Sequence, residues 1–392
     1  MFDSQQVREG EMPFGLDEIF YSRTDLRGVI SSCNAVFCRV ANYPESKLIG
    51  APHRIVRHPD MPRGVFQLFW DRLQSGRPVG AYVKNRSSDG RHYWVFATAR
   101  SFGDGYVSVR IKPSSPLFAT TRELYRELLA AEAAGRNPQE SAAALLAALK
   151  GLGFADYEQF MGRAMLLERA GRPGPVSPGE AMLREASDLL ERILELEAAL
   201  LASFESLTLV PTNMRLIAGR LEPSGGPIST VSESYRVVTA TARTALHAIT
   251  GHENSPTAMA AAALSAAAFE SGSAALQDEL ASHSDLPAGE LPLFREAAGA
   301  ARACAATRLE AVAPACSRLA RESEAMRRAM LGLDQTRVMG EIEVGRRDEA
   351  EAVLGATMRQ LEERHASIRE QIETLLLQAK TLERLAVRGL ER

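Results

Sequence analysis

The hydrophobic pattern of this 392-residue chain changes at residues 112–118, KPSSPLF. Before this segment, short apolar stretches of alternating polarity are separated by turns rich in Gly, Ser and Asp, a pattern that predicts strands. After it, strand-like stretches almost disappear, and Ala, Leu, Glu and Arg recur with helical spacing. A Pro/Ser-rich segment at such a change is typical of a domain boundary. The sequence therefore predicts an α+β domain followed by a long all-helical region.

The charge of the chain divides at the same place. Residues 1–115 carry 16 Lys and Arg against 11 Asp and Glu, whereas the rest of the chain carries 30 against 38. The overall net charge is −3 and the helical region has no basic stripe, so we expect no nucleic-acid partner. The four cysteines, Cys33, Cys38, Cys304 and Cys316, lack CxxC spacing and favour free thiols in a reducing cytoplasm.

Membrane insertion is not expected from the hydropathy of the chain. The N-terminal segment MFDSQQVREGEMPFG lacks the apolar core of a secretion signal. The alanine-rich segment AMAAAALSAAAFESGSAAL comes closest to a membrane span, but Glu270 interrupts it and alanine is only weakly hydrophobic. We therefore expect a cytoplasmic protein.

Residues 18–113 predict an antiparallel sheet with short helices. A hairpin is predicted at 18–32, because two β-rich segments flank the turn TDLRG. Helices are predicted at 34–49, with Asn34 as a candidate N-cap, and at 63–74, where the apolar residues share one face. Three antiparallel strands follow, joined by the turns SSDG and GDG.

A cationic segment separates the predicted helices of this domain. PHRIVRHPDMPRGVFQLFW, residues 52–70, contains two histidines, three arginines and one aspartate. Such a segment indicates either a solvated loop or a cradle for an anionic ligand. Arg57 and Asp60 could alternatively form a local ion pair. His53 and His58 lie five residues apart, but no cysteine or carboxylate cluster completes a metal site, so no metal is expected.

Five segments of this domain resemble the flavin-binding PAS domain of bacterial aerotaxis receptors. They are RTDLRGVISSCNAVF, YPESKLIGAPHRIVRHPDMP, FQLFWDRLQSGRP, VKNRSSDGRHYWV and YVSVRIKP. The resemblance covers residues 18–113 nearly without gaps, and RHPDMP with the Trp that follows it is the most specific part. It implies a PAS domain that binds FAD non-covalently and senses redox state or oxygen.

The resemblance implies roles in FAD binding for six residues. They are Asn34, Arg57, His58, Asp60, Trp70 and Asn85. Read from the residues alone, Trp70 also fits a core position, and Asn85 fits a polar residue beside a turn. Val79 stands where the family usually has a second Trp. No cysteine occupies the place of the reactive Cys of light-sensing PAS domains, so photochemistry is not expected.

The region 116–392 predicts helices with heptad seams. One seam runs through residues 183–207 with Glu197 as a polar member, and a longer seam through residues 354–382 includes His365. Such apolar stripes must be buried, either against another helix of the same chain or in a homodimer. His365 is expected to be a paired polar residue that sets the register.

A break between two helices is predicted at residues 210–235. Pro211 interrupts the first helix, EPSGGP forces a turn, and Ser229 is a candidate N-cap of the second. This hairpin faintly resembles the signalling tip of methyl-accepting chemotaxis proteins, and the alternative is an ordinary hairpin in a helical bundle. The matching residues are Thr212, Asn213, Leu221 and Glu222.

These observations predict five segments with different roles. They are an N-terminal extension at 1–17, the PAS domain at 18–113, a helical connector at 114–175, a helical hairpin at 176–255 and a helical bundle or coiled coil at 256–392. No P-loop, ATP-binding kinase box, GGDEF, EAL or GxSxG motif is present, so an enzyme is not expected.

Two functions remain open at this point. The first is a cytoplasmic signal-transduction protein in which FAD in the PAS domain senses redox state or oxygen. Its helical output would then contact chemotaxis kinase or adaptor proteins. The alternative is a non-enzymatic scaffold whose PAS domain holds no cofactor and serves for dimerisation.

Overall fold

The computed structural model describes residues 10–174, 176–221, 226–250, 254–283, 286–287, 289–346 and 348–390. The chain divides into two compact units. The first unit comprises residues 1–183 and 264–308, and the second comprises residues 184–263 and 309–392. The first unit is therefore built from two stretches of sequence that are far apart along the chain.

Five antiparallel strands form the sheet of the first unit, in the order β2-β1-β5-β4-β3. Their bounds are β1 Ile19–Asp25, β2 Ile30–Cys33, β3 Val79–Arg86, β4 His92–Phe102 and β5 Gly105–Ile111. A layer of short helices packs on one face of the sheet. It consists of α1 Ala35–Ala41, α2 Glu45–Leu48, a 3-10 turn His53–Val56 and α3 Arg63–Gln74. The predicted α+β domain is confirmed, including the helix at 63–74.

The remaining elements of the described chain are helices. They are α4 Pro116–Ala133, α5 Pro138–Gly151, α6 Tyr157–Ala170, α7 Pro178–Leu207, α8 Val210–Leu221, α9 Pro227–Ile249, α10 Pro256–Ala281, α11 Leu291–Glu310, α12 Val312–Val344 and α13 Asp348–Leu390. The predicted all-helical region after the sheet is confirmed.

Asn34 is the N-cap of α1, as predicted. Its Oδ1 accepts hydrogen bonds from the backbone N–H groups of Phe37 and Tyr21, both at 3.3 Å. Its Nδ2 donates to the carbonyl of Ile19 at 3.2 Å. Because Asn34 is buried, these bonds satisfy its amide and fix the start of α1 against β1.

The second face of the sheet is covered by helices from later in the chain. The ring of Tyr21 on β1 meets Phe294 of α11 with centroids 4.9 Å apart. On β4, the guanidinium of Arg100 pairs with the carboxylate of Glu270 on α10 at 2.7 Å. At Gly80 of β3, a Cβ would lie 2.5 Å from the ring of Phe269, so glycine permits α10 to approach.

Helix α10 owes its apolar composition to this packing. Among the described residues, α10 is the helix whose length and hydropathy would allow it to span a membrane. However, 67% of its apolar 18-residue segment is buried within the protein. Phe269 and Glu270 place one side of it on the sheet. Burial of this extent is that of a core helix.

A buried carboxylate joins the sheet to the chain that follows it. Glu168 of α6 is fully buried and accepts hydrogen bonds from the Tyr82 hydroxyl of β3 at 2.8 Å and from the Ser114 N–H at 2.6 Å. The Ser115 hydroxyl also donates to it, while Ser115 caps α4. One side chain therefore ties together β3, α6 and the segment between β5 and α4.

The second unit contains helices packed along their heptad seams. Helices α9, α12 and α13 contact one another, and α8 contacts both α9 and α13. On α13 the seam residues Ile368, Ile372 and Leu375 are at most 1% exposed. The long seam therefore closes within one chain, which is one of the two arrangements left open by the sequence.

His365 is a paired polar residue in this seam, as predicted. Its Nε2 lies 2.8 Å from the Tyr235 hydroxyl of α9, and its Nδ1 lies 2.9 Å from a carboxylate oxygen of Asp334 on α12. Arg369 also contacts that carboxylate. Burial lowers the pKa of His365 to about 4, so the neutral ring bridges the hydroxyl and the carboxylate.

The predicted interruption beside Pro211 is confirmed, but the predicted N-cap of the following helix is wrong. Helix α7 ends at Leu207 and α8 begins at Val210, beside Pro211. Ser229 is not an N-cap, because α9 begins earlier, with Gly226 at the cap. Proline is favoured at the first helical position, where a missing N–H costs nothing, so Pro227 begins the helix.

Three of the four residues that carried the chemoreceptor-tip resemblance lie in the described part of the chain. Thr212 and Asn213 are exposed on α8. Leu221 is the last residue of α8. Glu222 lies outside the described residues.

Replacing Glu168 with Gln should lower the free energy of unfolding of the first unit by about 3 kcal/mol. The amide keeps the volume but places an NH2 group against donors, and it removes the charge that strengthens their hydrogen bonds. Urea unfolding followed by tryptophan fluorescence would measure this loss, because both tryptophans, Trp70 and Trp94, belong to this unit. The matched control is Glu123→Gln on α4, which removes an exposed pair with Arg126 and should change little. Equal midpoints for the two variants would contradict the role of Glu168.

The second unit should lose stability as the pH rises, because of Glu197. This carboxyl is 5% exposed, and the Thr257 hydroxyl donates to it. Burial raises its pKa from 4.5 to about 7. The folded state therefore favours the protonated form, and the resulting stabilisation is complete below pH 4.5 and lost as the pH rises through about 7.

Hydrogen exchange of α7 amides at pH 5 and pH 8 would test this, after correction for the intrinsic rate. The free energy of opening of these amides should be about 3 kcal/mol lower at pH 8 than at pH 5. Glu197→Gln should abolish most of this difference, whereas Glu195→Gln, at an exposed position of the same helix, should keep it. The same pH response in both variants would refute the assignment.

Candidate functional site

A cavity of about 140 Å³ lies between the sheet and its layer of short helices. The sheet contributes residues that alternate along each strand, so that they share its inner face. The cavity is lined by Ser22, Thr24, Gly28, His53, Arg54, Arg57, Phe66, Phe69, Trp70, Leu73, Val83, Asn85, Ala97, Ala99, Tyr106, Ser108 and Arg110. Three of the six predicted site residues, Arg57, Trp70 and Asn85, are brought together here.

Aromatic side chains form one wall of the cavity. The ring of Trp70 on α3 stands edge-on to Tyr106 of β5 with centroids 5.6 Å apart. Gly28, in the turn between β1 and β2, has a φ of 78°, and a Cβ there would lie 3.2 Å from the Trp70 ring. The guanidinium of Arg57 lies 3.9 Å from the centroid of the Phe66 ring. These flat surfaces suit a planar ligand.

Arg110 places a buried positive charge in the lining of the cavity. The residue is 4% exposed, and its guanidinium donates to the Ser22 hydroxyl at 3.0 Å and to His53 Nε2 at 2.7 Å. No carboxylate pairs with it among the described residues. Burial lowers the pKa of Arg110 to about 10, because the charged form loses solvation.

His53 faces Arg110 as a neutral acceptor. Loss of solvation around the ring, followed by the charge of Arg110, lowers the pKa of His53 to about 3. The ring also stacks on Phe37 of α1 with centroids 5.9 Å apart. His53 therefore orients Arg110 but leaves its charge uncompensated.

Two further polar groups on the sheet have unused hydrogen-bonding capacity. The Ser108 hydroxyl of β5 is buried with no hydrogen-bond partner. Asn85 of β3 is 3% exposed, and its side-chain amide makes no hydrogen bond in the described part of the protein. Together with Arg110 they give the cavity a polar part, which suits a planar ligand that presents hydrogen-bond acceptors or negative charge.

His58 and Asp60 lie outside this cavity. The Asp60 carboxylate accepts a hydrogen bond from Lys84 Nζ at 2.9 Å, and His58 Nδ1 accepts one from the Asp60 N–H at 3.0 Å. Burial, followed by the charge of Lys84, lowers the pKa of His58 to about 4. Asp60 and Lys84 line a separate open groove with Trp94. Asn34 does not line the cavity either, because its amide is used in capping α1.

The sequence contained a signal for Arg110 and Ser108 that the motif analysis did not use. In GYVSVRI, alternation places Tyr106, Ser108 and Arg110 on one face of β5. All seven residues of this strand are buried, so a polar and a cationic residue on its inner face mark a ligand-facing position. Val79, the position that departs from the family, is buried at the start of β3 and does not line the cavity.

Metal binding finds no support in the part of the chain that the structure describes. There, no three His, Cys, Asp or Glu side chains converge in a way that could hold an ion.

The strand order and helix layer correspond to a known domain. A family model described as PAS fold matches residues 30–110, so the first unit contains a PAS domain. Over 135 residues, the chain is 36% identical to the aerotaxis receptor of Escherichia coli (strain K12). The PAS domain is therefore of the aerotaxis-receptor type, which confirms the resemblance seen in the sequence. The alignment covers 33% of this chain and only 27% of the receptor.

Solved PAS structures are also similar over part of the chain. The PAS domain of a protein from Colwellia psychrerythraea is 18% identical, with 24% of this chain and 85% of that chain covered and a TM-score of 0.21. The light-state LOV structure of the blue-light photoreceptor Aureochrome1 is 21% identical, with 30% and 90% covered and a TM-score of 0.23.

Arg110→Met should make the ligand-free first unit about 1 kcal/mol more stable, because methionine removes a buried charge that has no carboxylate partner. Arg100→Met provides the matched comparison on the other face of the sheet. It should cost about 3–5 kcal/mol, because Glu270 would remain as a buried carboxylate without its cation. Urea unfolding by tryptophan fluorescence would compare the two variants. A loss of similar size in both would show that Arg110 is a structural cation.

Proposed function

We propose that the first unit is a sensor of redox state or oxygen that holds FAD non-covalently in the cavity beneath the sheet. The observation that carries this proposal is the buried Arg110 guanidinium beside the Ser108 hydroxyl. Within the described ranges, the guanidinium has no carboxylate partner and the hydroxyl has no hydrogen-bond partner. A binding site that presents such groups next to an aromatic wall is incomplete without a ligand.

The chemistry of the lining suits a flavin. When bound, FAD supplies a redox centre whose ring changes charge and protonation on reduction. Trp70 and Tyr106 would hold its aromatic ring, while Asn85, Ser108 and Arg110 would bind its polar atoms. The Asn85 amide can both donate and accept, so it can respond to a change of protonation in a ligand.

The six residues named from the sequence would divide into two roles under this proposal. Arg57, Trp70 and Asn85 would contact the cofactor. Asn34 would hold the start of α1. Asp60 would fix the loop that precedes α3 through its contact with Lys84, and His58 through its contact with Asp60.

A change at the cavity could reach the helices through the sheet. Strand β3, which carries Asn85, and its neighbour β4 present their other face to helices, where Tyr82 contacts Glu168 and Arg100 contacts Glu270. A shift of β3 or β4 would therefore alter contacts with α6 and α10. Residues 264–281 of α10 belong to the first unit and residues 256–263 to the second, so the helix is a covalent route between them.

The output is proposed to be protein contact in taxis-type signalling in the cytoplasm, with a homodimer as the working form. The support is the similarity to an aerotaxis receptor over the PAS region. Chemotaxis kinase or adaptor proteins are the proposed partners of the helical region. We propose no catalytic step.

The purified full-length protein should show the visible absorption bands of a flavin and release FAD on denaturation. Trp70→Leu and Asn85→Ala should each weaken FAD binding at least about tenfold, equivalent to about 1.4 kcal/mol. Titration of flavin-free protein with FAD would measure the change. Trp94→Leu is the matched control, because Trp94 lies on the opposite face of the sheet against Phe118 and should leave affinity unchanged.

The outcome also decides between the two functions. Protein that is colourless and does not take up added FAD would reject the flavin proposal and favour the cofactor-free scaffold. Equal losses for Trp70→Leu and Trp94→Leu would place the cofactor elsewhere. Asp60→Asn would separate the two roles, because a change outside the cavity should weaken FAD binding less than Asn85→Ala does.

A further inference from the structure

Two cysteine sulfurs of the PAS domain lie in contact. Cys33 is the last residue of β2 and Cys38 lies in α1, and their Sγ atoms are 3.8 Å apart. Both are free thiols. The absence of CxxC spacing in the sequence predicted free thiols and did not indicate that these two lie together. The cap at Asn34 turns the chain between them and brings them together.

The two sulfurs differ in exposure. Cys33 is 4% exposed, whereas Cys38 is only half-buried. An oxidant from solvent would therefore reach Cys38 first, and Cys33 would be the neighbouring thiol that reacts with the product. An accessible thiol beside a second, shielded one is the arrangement found in redox-sensing cysteine pairs.

We propose that Cys33 and Cys38 form an intramolecular disulfide under peroxide, as a thiol-based redox switch of this domain. Peroxide oxidises the Cys38 thiol to a sulfenic acid, and one molecule of water leaves. The Cys33 sulfur then attacks the Cys38 sulfur, an S–S bond forms, and the sulfenic oxygen leaves as a second water with the Cys33 proton. Two electrons pass from the two thiols to the peroxide, which is thereby fully reduced.

The surroundings of the pair make this switch slow. Burial raises the pKa of Cys33 to about 12 and raises that of Cys38 as well. The neighbouring Cys38 contributes to the raised pKa of Cys33, Glu45 of α2 contributes to both raised values, and Arg110 of β5 opposes the rise at Cys33. Because the thiolate is the reactive form, the pair resists brief exposure to oxidant and reacts faster as the pH rises.

Oxidation would act on the cavity through α1. The S–S bond length is about 2.05 Å, so the sulfurs must approach from 3.8 Å and draw Cys38 toward β2. Phe37, the residue before Cys38, stacks on His53 and lies 5.4 Å from the Arg110 guanidinium. A displacement of α1 would therefore reach two residues that line the cavity. The inference stands whether or not the cavity binds flavin.

Peptide mapping of the full-length protein gives a direct test. Trypsin releases residues 28–39 as one peptide, GVISSCNAVFCR, which contains both cysteines. The protein is treated with hydrogen peroxide, denatured and alkylated before digestion. The disulfide appears as an unalkylated peptide that has lost two hydrogen atoms. After reduction and a second alkylation, this peptide gains two alkyl groups. It should form in flavin-free and in FAD-treated protein.

A cysteine variant and the other cysteines of the chain provide the controls. In Cys38→Ser protein, Cys33 should remain alkylated after peroxide, as should the buried Cys316 in the unmodified chain. A 28–39 peptide that keeps both alkyl groups while the exposed Cys304 is oxidised would overturn the proposal. A sulfinic acid at Cys38 with alkylated Cys33 would overturn it as well, because the second thiol would then have failed to react.

Discussion

The sheet of the first unit is buried on both faces, and this constraint decides the chemistry of its side chains. On the outer face, Arg100 meets the carboxylate of Glu270, so its charge is balanced within the protein. On the inner face, the groups that Arg110 contacts in the described part of the chain are neutral. A buried cation without a counter-charge is costly, so this arrangement favours the proposed ligand site on the inner face. The contrast between two arginines of one sheet supports that proposal without reference to any relative.

Glu168 connects this sheet, which is buried on both faces, to the rest of the first unit. Its carboxylate satisfies donors from β3 and from the segment before α4, so a movement of β3 cannot leave that segment unchanged. The Cys33–Cys38 contact lies at the other end of the same domain, where β2 meets α1. Under the two proposals, the elements that border the cavity would respond both to a planar ligand and to oxidation of sulfur.

Local rules predicted much of this fold from the sequence, and long-range packing could not be predicted. The Asn34 cap and the helix at 63–74 depend on nearby residues, so their signals are complete in the sequence. The packing of α10 on the sheet depends on residues about 190 apart along the chain, such as Gly80 and Phe269. The motif placed Arg57, Trp70 and Asn85 at the cavity, but it gave no weight to Arg110, which only strand alternation and burial reveal.

The discontinuous first unit has a consequence for how the protein is made. The strands end at Ile111, whereas the part of α10 that covers them begins about 150 residues later. At ~5–20 residues per second, the ribosome needs roughly ten to thirty seconds to deliver that helix. During this interval the outer face around Gly80 and Tyr21 lacks α10 and α11, so the nascent chain carries an uncovered apolar sheet surface. A chain of this design depends on protection from aggregation during synthesis.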